Sequence, residues 1–253
     1  MMTTTIARLG LIYLHKMLRF DRVHRTTQDL SGLESLKHPI RSEVINYLLQ
    51  SLERDVFYLE VGVRNPDENF NRIIATRKIS VDPGLEYTSN PVDYALTSDE
   101  FFAGLQSGSI LNPDVRFDVI FIDGLHRAEQ VDRDIKNSLS FIRDDGFVVL
   151  HDCNPPSEYH ARENFGYNLS PAGVTWNGTT WKAFVKWRCD SSLFSCTVDT
   201  DWGLGILSKE TPIGRHSELL NEFFEFSTFS CDRSEALGLV SFDDLKNRIG
   251  IVR

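Results

Sequence analysis

The chain of 253 residues is long enough for one complete α/β domain with a sizeable hydrophobic core and some additional elements. Its formal net charge of −9 argues against nucleic acid as the main partner, because nucleic-acid-binding proteins concentrate Lys and Arg to displace counterions. The sequence has no apolar run of about 18 residues, no zinc-ligand spacing among its cysteines and no signal-peptide pattern, so we expect a cytoplasmic protein without a transmembrane segment.

The first part of the chain has helical patterns. Apolar residues recur at helical spacing over 6–20, and a second helix is expected over 41–52, after the break at His38-Pro39. We therefore predict an N-terminal helical segment over 1–52, a main α/β domain over 53–210 and a C-terminal helical tail over 211–253.

Short apolar strands then alternate with helices. The predicted strands cover 56–61, 79–82, 92–96, 117–123 and 146–152. A helix-like stretch after the first strand places Phe70, Ile73 and Ile74 on one face, and another helix covers 131–142. Strands that are apolar throughout and alternate with amphipathic helices are typical of a parallel sheet covered on both faces.

The last two strands have a different connection. A helix over 181–187 is followed by strand-like runs over 193–199 and 202–207, separated only by a short polar turn. Such a turn predicts an antiparallel hairpin. The fold prediction is therefore α/β: a doubly wound, seven-stranded, mostly parallel sheet that ends in an antiparallel hairpin.

Polar residues recur where the predicted parallel strands end. Glu60, Asp82 and Asp123 end three strands, and His151 with Asp152 ends a fourth. In open α/β sheets, ligands bind outside the carboxyl ends of the strands. The sequence thus predicts one shared crevice at this edge, lined by acids.

The segment Leu59-Glu60-Val61-Gly62-Val63-Arg64-Asn65-Pro66 resembles the first motif of class I S-adenosylmethionine-dependent methyltransferases. The resemblance implies that Glu60, Gly62 and Arg64 contact the cofactor, with the glycine allowing its backbone to approach closely. Asn65 and Pro66 suit the start of a helix whose free N–H groups would face the cofactor carboxylate. The family usually has two or three glycines here, whereas this chain has one.

The resemblance also assigns roles to the next two strand ends. Asp82, 20 residues after Gly62, lies where such folds place an acid for the ribose hydroxyls. Ser98 and Asp99 lie in the segment that contacts adenine. Two alternatives stay open: Asp82 as a turn acid before Pro83-Gly84, and Ser98 with Asp99 as a helix cap.

The pattern FIDG-x-H over 121–126, paired with His151-Asp152, resembles a branch that contains sugar and natural-product O-methyltransferases. The resemblance covers about 56–208. It implies O-methylation of a sugar, a glycan precursor or a sugar-bearing small molecule with S-adenosylmethionine, so the expected partner is a small-molecule or carbohydrate acceptor. A homo-oligomer is a possible assembly.

A hydroxyl acceptor must lose its proton as it attacks the methyl group, and a base in reach contributes about 10²–10⁴-fold in rate. His126 and His151 are the candidate bases, and Asp123, which is also a candidate cofactor contact, would orient one of them. Alternatively, His126 caps a helix and His151 is a buried structural imidazole. Asp123 and Asp152 are also candidate ligands for Mg²⁺, since hard cations prefer carboxylates.

Two other functions remain open at this point. A nucleotide- or NAD-binding enzyme could use a similar sheet, although the sequence lacks GxGxxG. A non-catalytic module that keeps the methyltransferase fold is the other, in view of the single glycine.

Overall fold

The computed structural model describes residues 18, 20–86, 91–166, 169–218 and 221–251. The predicted helix over 6–20 lies outside these residues apart from positions 18 and 20. The helices are α1 (Arg22–Ser35), α2 (Arg41–Ser51), α3 (Ser98–Ser107), α4 (Ala128–Phe141), α5 (Thr180–Arg188), α6 (Phe226–Cys231), α7 (Arg233–Leu237) and α8 (Phe242–Ile251). The strands are β1 (Phe57–Val61), β2 (Arg77–Val81), β3 (Phe117–Ile122), β4 (Ile142–Leu150), β5 (Phe194–Val198), β6 (Leu204–Ser208) and β7 (Leu239–Val240). Within the described ranges, every helix is too short or too polar to cross a membrane.

The seven strands form one sheet in the order β2-β1-β3-β4-β6-β5-β7. Strand β6 is antiparallel to both of its neighbours, β4 and β5, whereas the other four pairs are parallel. The predicted fold class is thereby confirmed: a seven-stranded, mostly parallel sheet of the Rossmann-like methyltransferase type with an antiparallel hairpin.

Helices cover both faces of the sheet because successive strand residues point to opposite sides. Leu59 and Ile120 belong to the core on the side of α3 and α4, where Phe101 is fully buried. Tyr58 and Phe121 belong to the core on the opposite side, against α2 and α8. Each fully buried large side chain contributes about 1.5–3 kcal/mol of hydrophobic stabilisation, so neither face tolerates a register shift.

The third predicted strand, 92–96, is wrong in extent. It forms a single parallel bridge between Val81 and Tyr94, and the seventh strand is instead β7, paired in parallel with β5. The Asp93 carboxylate explains why residues 92–96 do not form a full strand. It accepts hydrogen bonds from the Ser80 backbone N–H at 2.9 Å and from the Ser80 hydroxyl at 2.8 Å. A side chain thus takes a donor that a full strand would need. The C-terminal stretch contributes β7 in addition to the helices that were predicted there.

The predicted helix after β1 is also wrong. The chain forms turns and one short 3₁₀-helix at Phe70–Arg72, which leaves Ile74 exposed. Asn65 accepts a hydrogen bond from the Asp67 N–H at 3.2 Å, and Asn69 turns inward towards β1. Side chains that bond locally or to the sheet compete with helical hydrogen bonds, so the expected helix N-terminus does not form here.

Candidate active site

The ends of four strands lie side by side along one edge of the sheet. Backbone hydrogen bonds continue past the strands: Gly62 N–H to Val81 O at 2.8 Å, Asp123 N–H to Val61 O at 2.8 Å and His151 N–H to Ile122 O at 3.1 Å. This ladder keeps the residues that end β2, β1, β3 and β4 next to one another, as expected for a parallel sheet.

Asp123 is the centre of a charged cluster at this edge. Its Oδ1 lies 3.3 Å from His126 Nε2 and 3.1 Å from His151 Nδ1. Its Oδ2 accepts a hydrogen bond from Arg41 Nη1 at 2.7 Å. One carboxylate thus joins two histidines and an arginine from three different elements.

Asp152 faces the same two histidines from the end of β4. Its Oδ2 lies 3.1 Å from His126 Nδ1 and 3.2 Å from His151 Nδ1. The other oxygen accepts a hydrogen bond from Asn177 Nδ2 at 2.7 Å. Asp152 has φ of 61°, a left-handed conformation that Asp adopts more readily than most residues. The backbone therefore bends where the carboxylate meets the cluster.

Sequence reasoning missed two members of the cluster, Arg41 and Asp201. Asp201, in the hairpin turn between β5 and β6, accepts from the Arg41 backbone N–H at 2.7 Å and from Arg41 Nε at 3.0 Å. His151 Nε2 lies 3.2 Å from Asp201 Oδ1. The only sequence signals are an arginine where α2 begins and an acid in the turn, and neither pattern is specific.

Mutual pairing sets the protonation of the cluster. Burial would raise the pKa of Asp123, but the charges of His151 and Arg41 outweigh burial and hold it well below its ordinary value. Burial would lower the pKa of His126, but Asp152 and Asp123 raise it above the ordinary value. For His151, burial and Arg41 act downwards, yet Asp123 and Asp152 raise its pKa well above that value. Ionised carboxylates and protonated imidazoles therefore stabilise each other.

The two histidines differ in access. The His151 side chain is 6% exposed, and both ring nitrogens face carboxylates, Asp201 on one side and Asp123 with Asp152 on the other. The His126 side chain is 19% exposed, and its ring stacks on Trp176 with centroids 5.2 Å apart. Of the two, His126 is more accessible to a ligand.

Glu60 lies at the same edge, one residue before the end of β1, and is buried. Its Oε2 accepts hydrogen bonds from the Tyr58 hydroxyl at 2.6 Å and from Asn69 Nδ2 at 2.8 Å. Burial raises the pKa of Glu60 to about 7, although these two hydrogen bonds act in the opposite direction. Glu60 therefore changes charge near neutral pH when no ligand is bound.

This pKa predicts a pH-dependent stability. Between its unfolded value and about 7, native Glu60 holds a proton that the unfolded chain releases, so stability falls as pH rises through this window. Above pH 7, the wild type loses unfolding free energy on the order of 3 kcal/mol through Glu60, and Glu60→Gln removes this loss. The gain in melting temperature of Glu60→Gln over wild type should therefore be larger at pH 8 than at pH 5. Thermal unfolding of the ligand-free protein measures this, with the exposed Glu222→Gln as control. An equal effect of Glu60→Gln at both pH values would contradict it.

The other predicted cofactor contacts lie around this edge. Asp82 Oδ1 accepts from the Gly84 N–H at 2.6 Å within a turn. Arg64 Nη2 donates to Glu68 at 3.0 Å. Ser98 and Asp99 begin α3, and both accept hydrogen bonds from Gln130 Nε2 on α4, at 3.0 and 3.2 Å. The cap of α3 is Thr97, which accepts from the Glu100 N–H at 3.3 Å.

The loop after β4 is held against α1 and covers one side of the cluster. His160 is fully buried, and its ring nitrogens lie 2.8 Å from the Ser157 and Ser31 hydroxyls. Arg162 donates to backbone carbonyls of the loop itself, those of Tyr159 and Thr175 at 2.8 Å each. The described parts of the loop are therefore held in place, with Trp176 beside His126.

The cluster also has a donor set for a cation. One ligand atom from each of Asp123, His126 and Asp152 lies within 4.8 Å of the other two. Two carboxylates and an imidazole are ligands that divalent cations accept in proteins.

Residues 44–153 match a family model described as "Methyltransferase domain". The match begins in α2 and ends just after Asp152, so it includes the ends of β1, β2, β3 and β4. Among curated proteins, none matches this chain.

Three similar solved structures are methyltransferases. TomG, an O-methyltransferase from Streptomyces achromogenes in complex with SAM, is 12% identical over 78% of this chain and 94% of its own, with a TM-score of 0.42. An O-methyltransferase from Bacillus cereus in complex with SAH is 12% identical over 74% and 89%, with a TM-score of 0.38. MycE, a methyltransferase of the mycinamycin biosynthetic pathway in complex with Mg, SAH and mycinamycin VI, is 13% identical over 78% and 57%, with a TM-score of 0.44. At these values the likenesses assign no acceptor and no site residue to this chain.

The segment 44–153, which contains β1 to β4 of the sheet described above, is thus similar to a methyltransferase domain.

Proposed function

We propose that this domain transfers a methyl group from S-adenosylmethionine to a hydroxyl oxygen of a small polar acceptor, with His126 as the general base. The observation that carries the proposal is the cluster of Asp123, His126 and Asp152 where β3 and β4 end, with ligand atoms within 4.8 Å of one another. Ligands of open α/β sheets bind at this edge. A base held between two carboxylates suits the removal of a proton from an acceptor that binds there.

We assign the cofactor to the part of the edge formed by β1, β2 and α3. The contacts proposed are Glu60, Gly62, Arg64, Asp82, Ser98, Asp99 and Asp123. One observation supports a ligand with hydrogen-bond donors at this place. Asn69 is buried beside Glu60, and its Oδ1 has no hydrogen-bond partner within the described part of the chain. The ammonium and ribose hydroxyl groups of S-adenosylmethionine are such donors.

The reaction is an in-line displacement, for which positioning supplies much of the rate. As the acceptor oxygen forms its bond to the methyl carbon, the bond between that carbon and sulfur breaks and the hydroxyl proton passes to the neutral form of His126. Asp123 and Asp152 lie 3.3 and 3.1 Å from the His126 nitrogens and stabilise the imidazolium that forms. S-adenosylhomocysteine and the methyl ether are the products.

His151 stays a candidate base from the sequence, and its geometry favours a different role. Its side chain is 6% exposed, against 19% for His126, so we assign it to holding Asp123, Asp152 and Asp201 in place.

The residues present also fit a divalent cation such as Mg²⁺, with Asp123 and Asp152 as its ligands. A bound cation would polarise the acceptor hydroxyl and lower its pKa. His126 lies beside both carboxylates and keeps its assignment as the base.

For the acceptor, we propose a sugar or a sugar-bearing small molecule. The cluster offers charged hydrogen-bonding groups for hydroxyls. Phe165, which is 53% exposed, and Trp176 lie with ring centroids 5.5 Å apart on the covering loop. Aromatic faces of this kind stack on the apolar faces of sugar rings.

Titration calorimetry and a methyl-transfer assay test this function. We expect the protein to bind S-adenosylmethionine and to transfer labelled methyl groups to one or more members of a panel of sugars and sugar-bearing metabolites. Binding of NAD without binding of S-adenosylmethionine would refute the proposal and favour a nicotinamide-dependent enzyme on the same sheet.

His126→Gln tests the base directly. We expect turnover to fall by about 10²–10⁴-fold, because glutamine cannot accept the proton, while affinity for S-adenosylmethionine stays within about twofold. Steady-state kinetics and calorimetry measure the two effects, with the more exposed His216→Gln as control. Turnover close to that of wild type would rule out His126 as the base.

A further inference from the structure

The acceptor side of the site is completed by two residues that lie outside the matched segment 44–153. Arg41 precedes the segment and Asp201 follows it, and the two are 160 positions apart in the chain. We infer that Arg41 and Asp201 are positioning residues for methyl transfer, which fix Asp123 and His151 and through them His126. This inference rests on the proposed function.

All three guanidinium nitrogens of Arg41, and its backbone N–H, donate hydrogen bonds to carboxylates. Its backbone N–H and Nε donate to Asp201 Oδ2 at 2.7 and 3.0 Å, and Nη2 donates to Asp201 Oδ1 at 3.2 Å. Its remaining nitrogen, Nη1, donates to Asp123 Oδ2 at 2.7 Å. A planar guanidinium with all of these contacts fixes the relative orientation of the two carboxylates. Asp123 is thereby held with Oδ1 towards the histidines.

Asp201 connects Arg41 to His151. While Oδ2 bonds to Arg41 at the start of α2, Oδ1 lies 3.2 Å from His151 Nε2. A carboxylate at a helix N-terminus also interacts favourably with the helix dipole. His151 is thus clamped between Asp201 on one side and Asp123 with Asp152 on the other.

The hairpin turn places Trp202 in a conformation that it disfavours. The turn from Thr200 to Gly203 is closed by a hydrogen bond of 2.8 Å, and its central residues Asp201 and Trp202 have φ of 42° and 65°. Hairpins with this backbone usually have Asn or Asp at the first of these positions and Gly at the second, where this chain has Trp202. Unfavourable backbone persists where surrounding structure holds it, and such places cluster at active sites. Here the turn brings the Asp201 carboxylate to Arg41.

The test compares turnover with stability. We expect Arg41→Met and Asp201→Asn to lower kcat by about 10²-fold each, since a shift of about 1 Å in a catalytic group has this effect, with affinity for S-adenosylmethionine within about threefold. Arg41→Lys should recover part of the rate. Because both residues act through the same contacts, the double variant should lose little more than the slower single variant.

Two control variants separate positioning from stability. Arg54 donates to Asp118 and Asp145 at 2.7 Å each, at the opposite edge of the sheet, so Arg54→Met breaks a similar ion pair away from the site. Asp199, two residues before Asp201, accepts from Lys37 at 2.7 Å. We expect Arg54→Met and Asp199→Asn to keep kcat within about twofold for the folded protein. If Arg41→Met loses rate only in proportion to its unfolded fraction, as Arg54→Met would, the positioning role is refuted.

A proton NMR measurement tests the inference without methyl transfer. Imidazole N–H protons held by carboxylates exchange slowly and give downfield signals. The signals of His151 are assigned as those that the wild type shows and His151→Gln lacks. Arg41→Met should shift or remove the Nδ1–H signal, because Asp123 loses the contact that fixes it. Unchanged signals in folded Arg41→Met overturn the inference, whereas an inactive wild type with the expected changes refutes only the proposed function.

Discussion

Replacing Asp123 with asparagine is expected to lower methyl transfer by at least about 10³-fold, because the carboxylate orients both histidines and stabilises the imidazolium of His126. It should also lower the free energy of unfolding by about 3 kcal/mol, since Arg41 and His151 lose the charge that they pair with. Labelled methyl transfer and urea unfolding measure the two losses. The exposed Asp144→Asn, whose carboxylate pairs with Lys209, is the control. Turnover within about tenfold of wild type would contradict the central place of Asp123.

Removing divalent metal shows whether Asp123→Asn loses turnover because a cation ligand is missing or because the histidines and Arg41 lose their partner. If Asp123 and Asp152 hold a required cation, dialysis of the wild type against EDTA lowers turnover and Mg²⁺ or Mn²⁺ restores it, but neither restores Asp123→Asn. If EDTA has no effect, the loss in Asp123→Asn comes from the histidines and Arg41 alone. Both results are compatible with methyl transfer, and they decide which role Asp123 has.

Gly62→Ala is expected to destabilise the protein by about 3–5 kcal/mol and to abolish binding of S-adenosylmethionine. Gly62 has φ of 92°, and a Cβ at this position would lie 2.4 Å from the carbonyl carbon and oxygen of Asp123 and from the Gly124 Cα. These are backbone atoms at the end of β3 and cannot rotate away. The two strand ends would have to separate, and the cofactor and acceptor sides of the edge would move apart.

The neighbouring Gly124 is a matched control for this contact. A Cβ on Gly124 would lie 3.9 Å from the Gly62 Cα and 4.0 Å from Val61 O, which is ordinary van der Waals contact. Gly124→Ala should therefore fold with a stability close to that of wild type. Thermal unfolding of both variants measures the difference, and calorimetry with S-adenosylmethionine follows for the folded proteins. Equal stability of Gly62→Ala and wild type would show that the strand ends can separate without loss.

The sheet could be predicted because its strands are buried on both faces. In β3 all six residues are buried, and all are apolar except Asp118, whose charge is paired with Arg54; the polar residues that follow mark the end of the strand. Parallel strands place their carboxyl ends at one edge, so the proximity of Asp123, His126, His151 and Asp152 follows from local patterns and the topology rule. The antiparallel hairpin of β5 and β6 was predictable for the same reason, from two apolar runs around a short turn.

Predictions that depended on side-chain competition were the ones that failed. The run 92–96 has the composition of a strand, but the Asp93 carboxylate takes the Ser80 N–H. The stretch after β1 has helical spacing, but Asn69 turns inward to Glu60. In both segments a polar side chain found a partner in the sheet, and propensity contains no information on such partners.

By itself, the sequence determined the α/β class and brought together the four polar residues that follow β3 and β4, where the proposed site lies. The tertiary structure alone decided that Arg41 and Asp201 join them, and that Gly62 is required by a strand contact as well as by the expected approach of a ligand. The physical reason is that burial leaves a periodic pattern along the chain, whereas an ion pair between residues 160 positions apart leaves none. Such a pair forms only when packing brings α2 and the hairpin turn to the same edge.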